Sequence, residues 1–181
     1  MIENLKNNEY WVRTSAVEAL GLLQATEYSD DVAKLLEDPN PLARESALIA
    51  LSKLKVTTHW DSIEKLLMDP STTVRSVALK VMRELGINTD RNKILGILTE
   101  ANDEVRVEAV KYFSALADAG IFNDIAKFIP FSSDAVRKEI VEYVRRIKPD
   151  SFQMISNLFK ISELSQEALA TLIEIAAIVK D

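Results

Sequence analysis

Apolar residues recur along the chain with a helical period that lies inside a longer repeat of 31 residues. Each repeat carries a Val or Ala followed by an arginine, and apolar residues stand three, seven and ten positions after that arginine, on one face of a helix. In the second repeat these residues are Ala47, Leu51 and Leu54. The pattern predicts five amphipathic helices with a common buried stripe, which in the row ten positions after the arginine includes Leu23 and Leu116.

A second apolar segment precedes each of the last four of these helices. These segments are residues 30–38, 61–69, 92–100 and 123–131. Polar or proline-containing sequences such as DPNP and DPST separate the two segments of a repeat, and they are typical of helix boundaries. Each repeat is therefore predicted to form a helical hairpin. A single hairpin cannot cover its own apolar stripes, so neighbouring hairpins are expected to stack.

The repeated motif resembles a known family. The pattern Asp-Pro-x-x-x-Val-Arg-x-x-Ala-x-x-x-Leu-x-x-Leu, as in residues 69–85, is similar to the HEAT repeat, in particular the short type named after phycobiliprotein lyases. The resemblance covers about residues 7–181 and implies an all-α fold, a right-handed α-α superhelix (α-solenoid) of about five to six helical hairpins. We expect one domain over residues 1–181, with repeats at about 1–24, 25–55, 56–86, 87–117, 118–148 and 149–181.

The resemblance also implies a structural role for the recurring arginines, which join neighbouring repeats in a ladder of hydrogen bonds. They are Arg13, Arg44, Arg75, Arg106 and Arg137. The expected acceptor is an aspartate in the preceding turn, Asp38 for Arg44 and Asp69 for Arg75. Because the matching positions of the other three repeats hold Asn7, Glu100 and Phe131, the ladder is predicted to be incomplete and the fifth repeat to stack less rigidly.

A candidate binding groove follows from the same helices, since the family places its arginine-bearing helices on the concave side. Positions one, five and eight after the arginine point away from the predicted core. The first two repeats are acidic to neutral there, and the next three are basic, which predicts a polarised groove for an acidic peptide or helix. The candidate groove residues are Glu45, Ile49, Lys80, Arg83, Lys111, Lys138 and Arg145. The same rows contain Gly21, Ser76 and Ser114.

An alternative interpretation is that these rows are ordinary solvated helix faces. Lys80 and Glu84 are four residues apart, as are Lys138 and Glu142, and this spacing stabilises an isolated helix.

Both ends of the sequence depart from the repeat. The first repeat contains only half of its first helix, which we interpret as a frayed cap or as a sign of a longer repeat protein. In residues 162–181, a further step of 31 residues from Arg137 reaches Ala168. In this register Leu169 and Ile173 would be exposed. A slip of one residue would instead bury Leu172, Ile173 and Val179. We expect the slipped register because a solenoid cap needs a polar outer face; the other register would create an apolar docking surface.

Composition restricts the possible functions. The net charge of −6 provides no general attraction for nucleic acids or anionic membranes. No cysteine is present, which excludes disulfides and thiolate chemistry, and His59 is the single histidine. The chain shows neither a leader-like segment nor a run of eighteen apolar residues, so a cytoplasmic location is expected. We expect no metal and no cofactor, because one histidine cannot build a histidine-based metal cluster.

The sequence thus predicts a non-catalytic protein–protein interaction scaffold that binds neither nucleic acid nor membranes. Two alternatives share the architecture: a HEAT-like DNA-binding or alkylpurine DNA glycosylase-type protein, and a bilin lyase-like or chaperone subunit. The glycosylase alternative requires aromatic and carboxylate groups in a basic groove, and Tyr112, Tyr143 and Lys111 lie near the groove positions in the sequence. Because alanine or valine fills the same position in earlier repeats, both tyrosines are interpreted as packing residues.

Overall fold

A computed structural model describes residues 2–100, 102–148, 152–161 and 164–180. Within these ranges the chain is helical and contains no β-strand. The helices are α1 (Tyr10–Leu22), α2 (Ser29–Lys34), α3 (Pro41–Leu54), α4 (Trp60–Lys65), α5 (Thr72–Leu85), α6 (Arg91–Ile97), α7 (Asp103–Ala115), α8 (Phe122–Ala126), α9 (Asp134–Ile147), α10 (Phe152–Leu158) and α11 (Gln166–Lys180).

Short and long helices alternate, as the hairpin prediction requires. The long helices are the arginine-bearing segments and α11, and the short helices are the segments that precede them. Several short helices continue into a 3₁₀ turn, for example Leu35–Glu37 after α2 and Leu66–Met68 after α4. The short helices α2, α4, α6 and α8 each have a fully buried apolar residue at the same repeat position, and these residues are Val32, Ile63, Ile94 and Ile125. The α-solenoid fold is confirmed.

The chain divides into two compact units, Met1–Thr89 and Asp90–Asp181. In the first unit α1 packs against α3 and α3 packs against α5, with the short helices on their other side and the 3₁₀ helix Ile2–Lys6 beside α1 and α2. In the second unit α7 packs against α9 and α9 against α11. Both units therefore repeat the same contact, that of one long helix with the next.

The predicted core rows are buried with one exception. Residues three, four and seven positions after each arginine are buried, as in Ala47, Leu48 and Leu51. The prediction was wrong for two residues at the tenth position after the arginine, because Leu23 is 66% exposed and Leu116 is 42% exposed. The reason is helix length: α3 includes its residue of this row, whereas α1 and α7 end one residue before theirs.

Each of the first five long helices is followed by a residue in the left-handed conformation. These residues are 31 positions apart and have φ values from 47° to 66°: Gln24, Lys55, Gly86, Ala117 and Lys148. In three repeats the next amide donates to the carbonyl oxygen five residues earlier, as Val56 does to Leu51. A left-handed backbone is unfavourable for residues with a Cβ atom, so only Gly86 adopts it without that cost.

The register of α11 differs from the one we expected. Ala168, Leu172 and Ile175 are buried, whereas Ile173 is 57% exposed and Leu169 is 40% exposed. The constant step of 31 residues therefore continues into α11, and the predicted slip was wrong. The physical reason is that α11 is apolar on two faces, so a pattern of apolar and polar residues could not select the buried one. The small Ala168 occupies the place of the arginine.

We predict that the helix ends respond to substitution in opposite directions. Gly86→Ala should lower the free energy of unfolding by about 1 kcal/mol, because the added Cβ meets no neighbouring atom and the effect is that of the backbone alone. Ala117→Gly should raise it by about 0.5–1 kcal/mol. Urea denaturation measures both values.

The matched control for this prediction is Ala170→Gly, an exposed site inside α11. It should be destabilising by about 1 kcal/mol, since glycine is unfavourable within a helix. A destabilising Ala117→Gly variant would contradict the assignment of strain to this position.

Candidate functional site

Two arginines of the first unit, Arg13 and Arg44, each join two successive turns. Arg13 donates from Nε and Nη2 to the two carboxylate oxygens of Asp38, both at 2.7 Å, and from Nη1 to the carbonyl oxygen of Asn7 at 2.7 Å. Arg44 repeats this arrangement with the Asp69 carboxylate and the Asp38 carbonyl oxygen, again at 2.7 Å. Each guanidinium therefore links its own turn to the turn of the following repeat through a bidentate ion pair.

This geometry corrects the expected pairing. The residue six positions before Arg44 accepts through its backbone carbonyl, while the carboxylate that binds Arg44 belongs to Asp69, 25 positions after it. The carboxylates are held in turn by backbone amides, because Asn40 N–H donates to Asp38 at 2.9 Å and Ser71 N–H to Asp69 at 2.8 Å. The aspartates thus bind the arginine of the preceding repeat and shape their own turn.

Asp38 is buried, with 6% of its side chain exposed. Burial alone would raise its pKa, but the hydrogen bonds from Arg13 and the Asn40 amide, together with the arginine charges, lower the pKa below the ordinary value of 3.8. The ion pair with Asp38 also raises the pKa of Arg13. Both groups are therefore charged at neutral pH.

The later arginines also contact the turn that precedes their own helix. Arg75 Nη1 donates to the Asp69 carbonyl oxygen at 2.6 Å. Arg106 donates to the Glu100 carbonyl oxygen and lies 3.4 Å from the Asp103 carboxylate on its own helix. Phe131 occupies the place that Asp38 and Asp69 hold in the first unit, and it is 79% exposed. Arg106 therefore has no carboxylate at the position used by Arg13 and Arg44.

Arg137 is buried and donates to the Ser132 carbonyl oxygen and to Asp134 on its own helix. Its counterpart 25 positions later, residue 162, lies outside the described residues.

A cleft lies in the first unit where α3 and α5 meet on the predicted groove rows. It has a volume of about 230 Å³ and an apolar lining formed by Ile49, Val77 and Val81. Ser52 donates to the Glu84 carboxylate across the cleft at 2.8 Å. Glu84 is thus bound by the neighbouring helix, whereas the alternative interpretation paired it with Lys80.

Two lysines border this cleft, Lys53 on α3 and Lys80 on α5. Both are exposed, and neither forms an ion pair in the part of the chain that the structure describes. Ile49 is 37% exposed at the edge of the cleft, and Glu45 and Arg83 are half-buried on the same rows. The cleft therefore combines an apolar lining with two cations that have no carboxylate partner among the residues that the structure describes.

In the second unit a larger cleft of about 360 Å³ lies between α9 and α11, and Lys138, Val141, Arg145 and Thr171 are among its lining residues. Arg145 pairs there with Glu174 of α11 and lies 3.9 Å from Glu142. Lys111 pairs with Glu108 at 2.8 Å. Because carboxylates already compensate Arg145 and Lys111, the basic character of the second unit is weaker than the residue count predicted.

Three residues of the predicted groove rows are buried, so the structure corrects their assignment. Gly21 lies at the contact of α1 with α3, where a Cβ atom would be 3.1 Å from the Ala50 Cα atom. Ser76 and Ser114 have 4% and 9% of their surface exposed. Small residues on these rows allow the helices to approach closely, and they are therefore part of the packing instead of the groove.

The catalytic alternatives receive no support from the side chains concerned. Tyr112 and Tyr143 are buried, and the Tyr143 hydroxyl donates to the Asp118 carbonyl oxygen at 2.5 Å, while burial raises its pKa. Both tyrosines therefore pack in the core, as the sequence predicted. His59 precedes α4, its side chain makes no cap hydrogen bond, and its Nε2 atom lies 3.0 Å from Asp30. Within the described ranges no three acidic or histidine side chains form a group that could hold a metal ion.

Comparison with known protein families identifies the repeats. Residues 1–83 match the family model for HEAT repeats. The first 83 residues of this chain thus contain HEAT repeats. No curated protein sequence matches it. None of the described helices is long and apolar enough to cross a membrane.

Several solved structures have the same fold as this chain. The complex of CpcE and CpcF of phycocyanin lyase from Nostoc sp. PCC7120 superposes with a TM-score of 0.68 at 13% identity, over 98% of this chain and 92% of that one. A designed armadillo repeat protein in complex with the peptide (KR)4 gives 0.65 at 18% identity, over 98% and 97%. An engineered protein gives 0.64 at 15% identity, over 99% and 94%. At these identities the likeness concerns the fold alone.

We predict that Asp38→Asn lowers the free energy of unfolding by about 2 kcal/mol at pH 7, because it leaves Arg13 without its charged partner. The Asp38 pKa is lower in the folded protein, so its stabilisation is present above about pH 4 and is lost as the pH falls through the folded value. Urea denaturation at pH 7 and at successively lower pH should show the difference between the two proteins narrowing. The exposed Asp61→Asn variant is the control, and an equal loss in it would contradict this prediction.

A second prediction concerns the missing acceptor. Phe131→Asp should raise the free energy of unfolding by about 1 kcal/mol by supplying Arg106 with a carboxylate. Phe131→Ala removes the same exposed ring without adding a charge, so it should not be stabilising. Thermal and urea denaturation of both variants test the prediction, and equal stabilities would show that the position does not serve as an acceptor in this repeat.

Proposed function

We propose that this HEAT-repeat protein is a non-catalytic interaction module that binds an acidic peptide segment of a partner protein through the cleft between α3 and α5. The observation that supports the proposal is an apolar lining bordered by the exposed Lys53 and Lys80, which form no ion pair among the described residues. HEAT-like folds are typical of protein-interaction scaffolds.

The size of the cleft favours a side chain over a small metabolite. Small-molecule sites usually enclose about 300–1,000 Å³ and bury most of their ligand. A cleft of about 230 Å³ that opens to solvent instead accommodates one aliphatic side chain. Ile49, Val77 and Val81 would contact that side chain and remove its surface from water.

The lysines determine the charge of the preferred partner. Their ammonium groups stand on flexible stems, so they can reach carboxylates on either side of the inserted side chain. Such exposed pairs add modest affinity and are screened by salt, and they chiefly discriminate against basic partners. We therefore propose a segment with one aliphatic residue flanked by acidic residues. The designed armadillo protein binds a peptide of the opposite charge, so the common fold does not determine the charge of the ligand.

We expect peptides selected on the full chain from a random display library to contain one aliphatic residue near acidic residues. A fluorescein-labelled peptide of this kind should bind in anisotropy titrations, and salt should weaken the complex. Lys80→Glu and Ile49→Asp should each weaken it by at least about tenfold, through charge repulsion and through loss of the apolar contact respectively. Lys65→Glu makes the same change of charge on the exposed surface of α4 and should leave the affinity unchanged.

Two controls separate this function from the alternatives. A matched peptide with lysine in place of the acidic residues should not bind. Labelled duplex DNA should not bind either, and tight, salt-sensitive DNA binding would favour the DNA-binding alternative. If Lys80→Glu and Lys65→Glu bind the selected peptide equally well, the cleft is not the site.

A further inference from the structure

The outer faces of α1 and α11 carry exposed apolar side chains. On α1, Trp11 is 56% exposed and Leu23, directly after the helix, is 66% exposed. On α11, Leu169 and Ile173 stand in the rows where the preceding helix α9 has Lys138 and Glu142. Exposed apolar surface of this kind typically marks a site of association.

The internal contacts define how one long helix stacks on the next. When residues are counted from the arginine, Glu18 at position five meets Ser46 at position two of the following helix, with 3.4 Å between their oxygens. Gly21 at position eight faces Ala50 at position six. Arg145 at position eight pairs with Glu174 at position six of α11, counted from Ala168. The same register therefore holds in both units.

Applied to α11 followed by α1 of a second copy, this register matches large residues with small ones. Ile173 at position five would lie against Ser15, and Ala176 at position eight against Ala19. Leu169 would meet Trp11. The protruding isoleucine would face a small serine, and the two alanines would face each other. Such pairs permit the close helix approach seen between Gly21 and Ala50.

The burial of α3 shows what a stacked helix does to these positions. Ser46 and Ala50 have 7% and 1% of their surface exposed beneath α1. Their equivalents on α1 are Ser15, which is exposed, and Ala19, which is half-buried. The outer face of α1 thus repeats the residues of an internal stacking face without a helix to cover them.

We propose that a second copy of this chain covers these faces, with α11 of one molecule stacked on α1 of the next. The interface is heterologous, since two different faces meet. It does not involve the α3–α5 cleft, so it is independent of the proposed peptide binding. The ladder does not continue through it, because Ala168 stands where an arginine would bind the next turn. Association therefore depends on apolar packing and should be weak and reversible.

Sedimentation equilibrium of the full chain tests the proposal. The weight-average mass should rise with concentration between about 10 µM and about 1 mM, the range of a small transient interface. Trp11→Glu and Ile173→Glu should each lower the association constant by at least about tenfold, because each places a charge in the apolar contact. Met68→Glu is the control: Met68 is 81% exposed, belongs to neither face, and its substitution should leave the mass unchanged.

Mixing the two variants distinguishes this geometry from a symmetric one. Trp11→Glu retains an intact α11 face and Ile173→Glu an intact α1 face, so the mixture should form a one-to-one complex and nothing larger. Self-association of Trp11→Glu alone would indicate an α11–α11 interface and overturn the proposal, as would a wild-type chain that stays monomeric at all concentrations. Circular dichroism shows whether each variant is folded, and formation of the mixed complex shows that the unaltered face is competent.

Discussion

The bidentate contact of Arg13 with Asp38, repeated by Arg44 with Asp69, is the constraint on which the geometry of the first unit depends. Apolar packing alone would let one hairpin slide or rotate on the next, because small aliphatic side chains define no unique register. A planar guanidinium that donates to a carbonyl in one turn and to a carboxylate in the next allows a single arrangement. Burying such a pair costs desolvation energy, so its main effect is on register, while the core supplies the stability.

The sequence predicted the residues of this ladder but not its connections. An aspartate six positions before one arginine is also 25 positions after the preceding arginine, since the two distances add up to the repeat of 31 residues. A strictly periodic sequence cannot distinguish these two relations. The structure distinguishes them: each arginine donates to a backbone carbonyl oxygen of the earlier turn. A carbonyl oxygen is present in every residue, so this contact cannot be inferred from the type of side chain.

The repeat period likewise predicted the helices, the hairpins and most of the core, because burial follows the helical period wherever one face is clearly apolar. It failed where two faces are apolar, as on α11, and where a helix stops one residue early, as at Leu23 and Leu116. The groove was predicted only as a set of rows. Whether a cation on a row can bind a partner depends on carboxylates of the same and the neighbouring helix. Arg145 already pairs with Glu174, whereas Lys80 forms no ion pair among the described residues.

The contacts that fix the stack also decide which surfaces remain for other molecules. Where an arginine binds the next turn, two helices are held at a constant distance, and the cleft between α3 and α5 keeps the separation of its apolar lining and its two lysines. That rigidity favours recognition, because a preformed cleft needs little ordering when a peptide binds. Where the arginine is replaced by Ala168, no such bond restricts the next layer, and the exposed Leu169 and Ile173 can be covered only by packing. An alanine at this repeat position therefore leaves the α11 face without the polar contact that joins successive turns in the first unit.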